Sequence, residues 1–163
     1  MKIRWKALVI AVLIPLAGGA LSGYLSRSGT ELYAAMQQPP LSPPGWVFPV
    51  VWTVLYTLMG LASYFIWVRR EDPRVPTALR LYAAQLGFNL LWPVFFFRFG
   101  LYPFAFFWLV SLWLLILVTL CLFARLSRPA GLLLLPYLLW VSFAAYLNLG
   151  VWLLNAPGSL PKA

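Results

Sequence analysis

Apolar residues run through this chain in long windows that contain no charged side chain. Five such windows cover residues 7–26, 32–68, 81–97, 99–124 and 129–161. A helix needs about 20 apolar residues to cross the hydrocarbon core of a bilayer. The pattern therefore predicts an all-α membrane protein, a single domain over residues 1–163 with five transmembrane helices. We place these helices at about residues 6–26, 46–67, 79–98, 101–124 and 130–154.

The second window is too long for one helix, and prolines crowd its first half. Residues 39–49, PPLSPPGWVFP, include five prolines. Proline stiffens an extended segment but is tolerated in the first turn of a helix. We therefore expect residues 27–45 to form a loop that ends where the second helix begins. Because the loop carries Tyr33, Met36 and Leu41, a semi-rigid cap over the helix ends is favoured over an exposed linker.

The composition also indicates a membrane protein. Hydrophobic residues make up 63% of the chain and charged residues 9%, against about 25% charged residues in soluble domains. Histidine is absent, and Cys121 is the single cysteine. A disulfide within one chain, the usual zinc sites and histidine ligation of haem iron are therefore excluded. We expect no metal and no covalently bound cofactor.

The net charge of +9 comes from basic residues that flank the apolar windows. Nucleic-acid-binding proteins instead gather such residues on one face, so we expect no nucleic-acid partner. Nine basic residues fall on the side that holds the amino terminus: Lys2, Arg4, Lys6, Arg69, Arg70, Arg74, Arg80, Arg125 and Arg128. Three fall on the other side: Arg27, Arg98 and Lys162. Because basic loops stay inside the cell, we expect the amino terminus inside, and the carboxy terminus and the long loop outside.

The third predicted helix has two contrasting faces. Gln85, Asn89 and Trp92 lie at i, i+4 and i+7, so they share one face. Amides are costly in hydrocarbon and normally point into a bundle or a cavity, and we favour a pocket over simple helix packing. Ala83 and Gly87 lie nearly opposite, with the small-xxx-small spacing that lets helices approach closely. Either a homodimer interface or packing within one monomer accounts for this second face.

Aromatic stripes run along two other predicted helices. The second helix aligns Phe48, Trp52 and Tyr56. The fifth helix aligns Tyr137, Trp140, Ala144 and Asn148. At about 1.5 Å per residue, Trp52 and Trp92 are expected roughly 9 Å inside the outer surface, with Trp140 nearer the middle of the membrane. Together with Asn89, these indoles are expected to line one cleft beneath the loop, suited to a flat and partly polar aromatic ligand.

Four blocks of the sequence, taken in order, resemble one known family. They are PPGWVFPVVWTVLY, YAAQLGFNLLW, FFF and LLPYLLWVSFAAYLN. These blocks combine proline, tryptophan and asparagine within apolar helices, and the resemblance extends from the first helix to Asn148. The chain is similar to the translocator protein family, also called the TspO, tryptophan-rich sensory protein or peripheral benzodiazepine receptor family. The resemblance implies five transmembrane helices, usually in a homodimer, and a pocket for tetrapyrroles such as protoporphyrin IX and for synthetic benzodiazepine-type ligands.

The resemblance also implies roles for particular residues. Trp52 and Trp140 match tryptophans implicated in porphyrin photo-oxidation by bacterial relatives. Asn89 and Trp92 match residues of the family's pocket, and Tyr33 resembles the loop tyrosine that covers the ligand. Pattern and resemblance together give these candidate ligand-binding residues: Tyr33, Pro44, Trp46, Phe48, Trp52, Gln85, Asn89, Trp92, Tyr137, Trp140, Ala144 and Asn148.

Two further expectations concern charged ligands and sterols. Porphyrin carboxylates need basic partners, and Arg27 and Arg98 are the candidates on the outer side. Animal members of the family end the fifth helix with a cholesterol-recognition pattern. This chain has Leu147, Leu149 and Leu153 there, without the tyrosine and the basic residue of the pattern. That departure argues against cholesterol binding at this site and favours a bacterial cell membrane.

Three functions fit these residues. The first is tetrapyrrole binding, the second is light-dependent oxidation of bound protoporphyrin by means of Trp52 and Trp140, and the third is transport or sensing of porphyrins or lipids without chemistry. Glu31, Glu71 and Asp72 all fall in predicted loops, so no acid lies inside the membrane. This weakens proton-coupled transport and ordinary hydrolysis, whereas photo-oxidation needs no acid or base because the porphyrin absorbs the light.

Overall fold

The computed structural model of this chain describes residues 3–156, which form helices and turns without a β-strand. Its α-helices are α1 (Trp5–Ser26), α2 (Thr30–Ala35), α3 (Val47–Trp67), α4 (Val75–Pro93), α5 (Tyr102–Leu126) and α6 (Arg128–Leu154). A 3₁₀-helix, Arg27–Gly29, joins α1 to α2, and a π-helix, Val94–Arg98, continues α4. Of the basic residues counted for orientation, Lys2 and Lys162 lie outside the described residues.

Four helical segments are long and apolar enough to cross a bilayer. They are Trp5–Ala35, α3, α5 and α6, with 31, 21, 25 and 27 residues, against the roughly 20 that a span requires. The protein is therefore an all-α integral membrane protein. α4 is not among these four segments, since its 19 residues include Arg80, Gln85 and Asn89.

The five long helices pack in a closed ring. Around this ring α1 packs on α3, α3 on α6, α6 on α5 and α5 on α4, and α4 returns to α1. α4 also contacts α3. The interior holds apolar side chains with no exposed surface, such as Met59, Ile66, Leu112, Ile116 and Leu134. The core therefore lies along the axis of the ring, and every long helix contributes one face to a neighbour.

A glycine brings α1 and α3 together. A Cβ at Gly60 would lie 2.5 Å from the Cα of Val12 and 2.7 Å from the carbonyl oxygen of Ala11. In lipid, where the hydrophobic effect does not drive helices together, such close backbone contact supplies the packing energy. This contact fixes the path of α1 relative to α3. It therefore also determines how far apart the other ends of the two helices lie.

The segment predicted as a loop over residues 27–45 is helical in its first part. The 3₁₀-helix and α2 carry helical structure to Ala35, and the irregular connection covers residues 36–46. The sequence of α2, TELYAA, contains good helix formers. Arg27 and Glu31 interrupt the apolar window, so the sequence pattern did not indicate that helical structure continues beyond α1. Glu31 accordingly lies in the first turn of α2 and not in a loop, where a carboxylate is favourable next to the helix N-terminus.

Prolines and one acidic turn mark the starts of the later helices. Prolines occupy the first or second position of α4, α5 and α6: Pro76, Pro103 and Pro129. At these positions a backbone N–H would have no hydrogen-bond partner within the helix, so its absence in proline costs little. Before α4, Asp72 accepts hydrogen bonds from the backbone N–H of Arg74 at 2.9 Å and from its side chain at 3.0 and 2.7 Å. The side-chain hydrogen bond from Arg74 lowers the pKa of Asp72 to about 2. This turn lets α4 start at Val75, earlier than the predicted residue 79.

Candidate ligand-binding cavity

A large cavity lies at the end of the bundle where α1 ends and α3 begins, which we call the loop end. Its volume is about 1050 Å³, at the upper limit of the roughly 300–1,000 Å³ typical of ligand pockets. α1 and α2 form one side, and the first half of α3 with the end of α4 forms the other. Loop residues 42–45 also line the cavity, and we call them the roof.

Small residues form the α1 side of the cavity and leave the space free. They are Gly19, Ala20, Ser22, Gly23 and Ser26. Both serines are buried, and both have partners. Ser22 Oγ donates a hydrogen bond of 2.6 Å to the carbonyl of Leu90, and Ser26 Oγ donates to the carbonyl of Ser22. The first of these bonds ties α1 to α4 beside the cavity.

Aromatic side chains form the α3 side. Phe48, Trp52 and Tyr56 recur every four residues, so all three line the cavity from one face of the helix. Trp52 stacks on Tyr56 with ring centroids 5.4 Å apart and an angle of 28° between the planes. Aromatic faces of this kind stack well on flat π-systems.

Tyr33 closes the cavity from α2. Its ring makes edge contacts with Phe48, Phe96 and Phe97 at centroid distances of 6.4, 5.7 and 5.4 Å. Gln38 Nε2 donates a hydrogen bond of 3.2 Å to the carbonyl of Tyr33. Phe96 and Phe97 belong to the π-helix, a structure that is frequent at functional sites.

Five predicted ligand-binding residues line this cavity: Tyr33, Pro44, Phe48, Trp52 and Trp92. Tyr56 and the two α1 serines line it as well, although they were not among the candidates. For Tyr56 the signal was the four-residue spacing from Trp52. For Ser22 it was the run of small residues GGALSG in α1, which is typical of helix packing and does not by itself indicate a cavity; Ser26 lies beyond this run.

The predicted amides lie behind the cavity wall. Gln85, Asn89 and Asn148 are 1%, 2% and 0% exposed. The hydroxyl of Tyr56 donates to Asn89 Oδ1 at 2.7 Å, and Trp92 Nε1 donates to Asn148 Oδ1 at 3.1 Å. Two residues of the wall are therefore held by amides that do not themselves line the cavity.

Tyr137 belongs to the same buried layer. It is fully buried, and its hydroxyl donates to Gln85 Oε1 at 2.8 Å. Asn148 Nδ2 donates to the carbonyl of Tyr102 at 2.9 Å. The layer thus joins α4 to α3 and α6, and α6 to the start of α5.

Two buried polar atoms of α4 have no hydrogen-bond partner among the described residues. They are the hydroxyl oxygen of Tyr82 and Nε2 of Gln85. The two residues are one turn apart and share a face of α4. An unpaired polar group in the interior costs free energy, so this end of the polar layer is its weakest part.

Trp140 lies outside the cavity. It lines a second concavity of about 490 Å³ between α3 and α6, and its ring contacts Phe48 at a centroid distance of 6.1 Å. Phe48 therefore lies between Trp140 and the cavity, and Trp52 and Trp140 do not share one cleft. The reason is geometric: Trp140 is about 60° from Tyr137 around α6, which turns it from the core toward α3.

The other candidates do not line the cavity either. Trp46 precedes α3 and is 68% exposed, whereas Ala144 is buried in α6. Arg27 and Arg98 are exposed at the loop end. Their guanidinium carbons lie 4.0 Å and 6.0 Å from the ring centroids of neighbouring aromatic residues, Tyr24 and Phe99. Neither arginine lines the cavity.

The second face of α4 is open. Ala83 is exposed, and a Cβ at Gly87 would meet no atom within 4 Å. Close packing against another helix of the described chain therefore does not account for the small residues on this face.

The cavity is also open along the seam between α1 and α3. Ala20 and Gly23 on α1, and Pro49 and Thr53 on α3, line the cavity and are exposed. A Cβ at Gly23 would meet no atom within 4 Å. Because both helices belong to spanning segments, this opening faces the lipid.

Comparison with known proteins identifies relatives along most of the chain. Residues 11–153 match the TspO/MBR family. The chain is 39% identical over 157 residues to the tryptophan-rich protein TspO of Chlorobaculum tepidum, covering 92% of this chain and 98% of that protein. It is 38% identical over 153 residues to the translocator protein of Ovis aries, covering 91% and 89%. It is 36% identical over 155 residues to the tryptophan-rich sensory protein of Cereibacter sphaeroides, covering 95% and 95%. These matches confirm the resemblance carried by the sequence motifs, and the chain belongs to the TspO/MBR family.

Proposed function

We propose that this protein binds a tetrapyrrole such as protoporphyrin IX in the loop-end cavity, where synthetic benzodiazepine-type ligands are also expected to bind. The observation that carries the proposal is the cavity of about 1050 Å³ bounded by Tyr33, Phe48, Trp52 and Tyr56. A porphyrin is a large, flat and mostly apolar ring. Stacking on aromatic faces and removal of apolar surface from water both stabilise such a ligand.

The carboxylates of a porphyrin would extend from the cavity toward the loop end. The described residues that line the cavity include no lysine and no arginine. The cavity therefore suits the apolar macrocycle but offers no cationic partner to the carboxylates. Arg27 follows α1 and Arg98 ends the π-helix, both at the rim. A guanidinium can hold a carboxylate through two parallel hydrogen bonds, and we propose these two arginines as the anchors.

We also propose that α4 is a fifth transmembrane span. Its 19 residues extend about 28 Å at 1.5 Å per residue, and it completes the ring between α1 and α5. Its amides point into the bundle, as polar groups of spanning helices do. The distribution of basic residues then supports an amino terminus inside, a carboxy terminus outside and the loop end on the outer face, in a bacterial cell membrane.

A homodimer is the assembly that we propose. The Ala83 and Gly87 face of α4 is open in the described chain, and its spacing suits close contact with a second helix. The same face on a second copy would bury both glycines in one symmetric interface.

The position of Trp52 supports a second candidate function, the light-dependent oxidation of the bound porphyrin. Trp52 lines the cavity and stacks on Tyr56, so an oxidisable indole would lie against the macrocycle. The porphyrin absorbs the light and dioxygen is the oxidant, so the reaction needs no acid or base from the protein. Trp140 would contribute only across Phe48. Transport or sensing without chemistry is the alternative.

One experiment separates these functions. The purified protein is titrated with protoporphyrin IX in darkness, with quenching of tryptophan fluorescence as the signal, and the same samples are then illuminated. Trp52→Phe is expected to slow the loss of porphyrin absorbance. Trp5→Phe is the matched control, because Trp5 is 65% exposed and does not line the cavity.

Each outcome of this experiment bears on one function. The absence of saturable binding in darkness overturns the tetrapyrrole proposal. Equal bleaching by Trp52→Phe and Trp5→Phe removes Trp52 from the chemistry. Binding without bleaching favours transport or sensing.

A further inference from the structure

The irregular loop, residues 36–46, is tied to the far end of α6 by an asparagine. Asn155 Oδ1 accepts a hydrogen bond of 3.1 Å from the backbone N–H of Gln37, and Asn155 Nδ2 donates one of 2.8 Å to the carbonyl of Gln37. Asn155 Nδ2 also donates to the carbonyl of Val151 at 2.8 Å. One side chain therefore joins the loop backbone to the last turn of α6.

Two more contacts of α6 hold the adjacent loop residues. The hydroxyl of Tyr146 donates a hydrogen bond of 2.8 Å to the carbonyl of Pro40. Pro39 is buried against α6, where a Cβ at Gly150 would lie 2.5 Å from the Cβ of Pro39. We call these contacts the clasp, formed by Gln37, Pro39 and Pro40 in the loop and by Tyr146, Gly150 and Asn155 in and after α6.

Residues of the clasp and residues that line the cavity alternate along the same irregular loop. Gln38 lines the cavity between two clasp residues, and the roof follows at residues 42–45. None of the clasp residues lines the cavity. A change in the clasp can therefore move the roof without removing any contact between the cavity wall and a ligand.

A strained turn connects the clasp to the roof. The backbone N–H of Ser42 donates a hydrogen bond of 3.3 Å to the carbonyl of Pro39, and Leu41 occupies the third position of this turn with φ 68°. Glycine and asparagine favour that conformation, and leucine does not. Leu41 is 82% exposed, so packing of its side chain does not offset the strain. Strain of this kind persists where surrounding contacts impose it, and here the clasp holds Pro39 and Pro40 immediately before Leu41.

We propose that Asn155 is a positioning residue for the cavity: together with Tyr146 it holds the roof closed, and release of the clasp opens the cavity at the loop end. The exchange of a ligand through this end is then set by residues that never touch it. The statement about ligand exchange rests on the proposed function, whereas the statement about the roof does not.

A cysteine inside the cavity tests the roof without a ligand. In a Cys121→Ala background, Ser26→Cys places a thiol on the cavity wall at a position that is 3% exposed. The protein is held in lipid nanodiscs, so that a charged thiol reagent reaches the cavity from the loop end and not through the lipid-facing seam. Asn155→Ala is expected to raise the labelling rate about fivefold to tenfold, as loss of two exposed hydrogen bonds implies.

Three matched variants make this test specific. Asn155→Asp keeps the acceptor for the N–H of Gln37 and should give an intermediate rate. Ser142→Ala removes the hydrogen bond between Trp113 and α6, which lies apart from the loop, and should leave the rate unchanged. Adding Leu41→Gly to Asn155→Ala should lower the rate again, because glycine accepts the left-handed conformation of the closed turn.

Exchange of protoporphyrin IX, followed by stopped flow in darkness, tests the second statement. Asn155→Ala and Tyr146→Phe are expected to raise the association and dissociation rates together, with a change in Kd of less than about threefold, because no contact with the ligand is lost.

The outcomes distinguish the two proposals. A labelling rate of Ser26→Cys that Asn155→Ala does not change, or that Ser142→Ala raises equally, overturns the clasp whether or not a porphyrin binds. Faster labelling together with absence of protoporphyrin binding in the parent protein leaves the clasp in place and overturns the proposed ligand. Faster labelling with unchanged exchange rates overturns the loop end as the route of the ligand.

Discussion

The hydroxyl of Tyr56 donates a hydrogen bond of 2.7 Å to Oδ1 of Asn89 and so joins the cavity wall to the buried amide behind it. Because Tyr56 also stacks on Trp52, the orientation of Trp52 depends on Asn89 through Tyr56. We expect Asn89→Leu to lower the free energy of unfolding by about 1–2 kcal/mol, since a buried hydroxyl loses its acceptor. Thermal unfolding in detergent measures this loss, and a dark titration measures the accompanying fall in ligand affinity.

A double-mutant cycle identifies the hydrogen bond as the cause. Tyr56→Phe removes the hydroxyl and keeps the ring, so combining it with Asn89→Leu removes both polar partners. The double variant should be more stable than Asn89→Leu alone. Strict additivity of the two single changes would contradict this role of Asn89.

Gly23→Leu is expected to weaken ligand binding at least tenfold while the protein stays folded. A Cβ at this position would meet no atom within 4 Å, and Gly23 lines the open side of the cavity, so a leucine there is expected to reduce the space for the ligand. Gly19→Leu is the contrasting variant, because its side chain would collide with the ring of Tyr56 and should lower the unfolding temperature. Unchanged affinity in Gly23→Leu would show that the ligand does not occupy the α1 side.

Much of the fold follows from the sequence because lipid imposes a simple rule. A spanning helix must satisfy its backbone internally and exclude charge over about 20 residues, so the windows around α3, α5 and α6 mark those helices directly. The same rule concealed the helical path from Ser26 to Ala35, since Arg27 and Glu31 break the apolar window although they do not break the helix.

The candidate site was predicted less completely, for a different reason. Helical periodicity states which residues share a face, and this brought Phe48 and Trp52 to the cavity. It does not state which neighbour covers that face. Asn89 shares a face with Trp92, yet a tyrosine of α3 covers it. Trp140 differs from Tyr137 by only a small rotation around α6, and this rotation places it in another concavity.

Arg98→Ala is expected to weaken the binding of protoporphyrin IX about fivefold at low ionic strength, because a carboxylate loses a cationic partner at the rim. The effect should shrink as salt is added, since Arg98 is exposed and exposed charges are screened. Arg125→Ala, at the opposite end of the bundle in the last turn of α5, is the control and should leave the affinity unchanged. Equal affinities of the two variants at low salt would remove Arg98 from the site.

Tyr82→Phe tests the unpaired end of the polar layer. The Tyr82 hydroxyl has no partner among the described residues, so its removal should leave stability unchanged or raise it by up to about 1 kcal/mol. Tyr137→Phe is the matched change, and it should destabilise the protein because Gln85 Oε1 loses its donor. If Tyr82→Phe destabilises as much as Tyr137→Phe does, the Tyr82 hydroxyl has a partner, and the neighbouring Ser63 side chain is the candidate.

Gly87→Trp is expected to convert the proposed homodimer to a monomer without unfolding it. A Cβ at this position would meet no atom within 4 Å in the single chain, but a tryptophan there would hold two α4 helices apart at a crossing that depends on small residues. Sedimentation equilibrium in detergent measures the assembly, and thermal unfolding checks the fold. Leu139→Trp adds the same bulk at another lipid-facing position, 69% exposed on α6, and should leave the dimer intact. If both variants remain dimeric, the interface lies on another face and the small residues of α4 contact lipid. If Gly87→Trp alone becomes monomeric, the small residues of α4 form the contact between subunits.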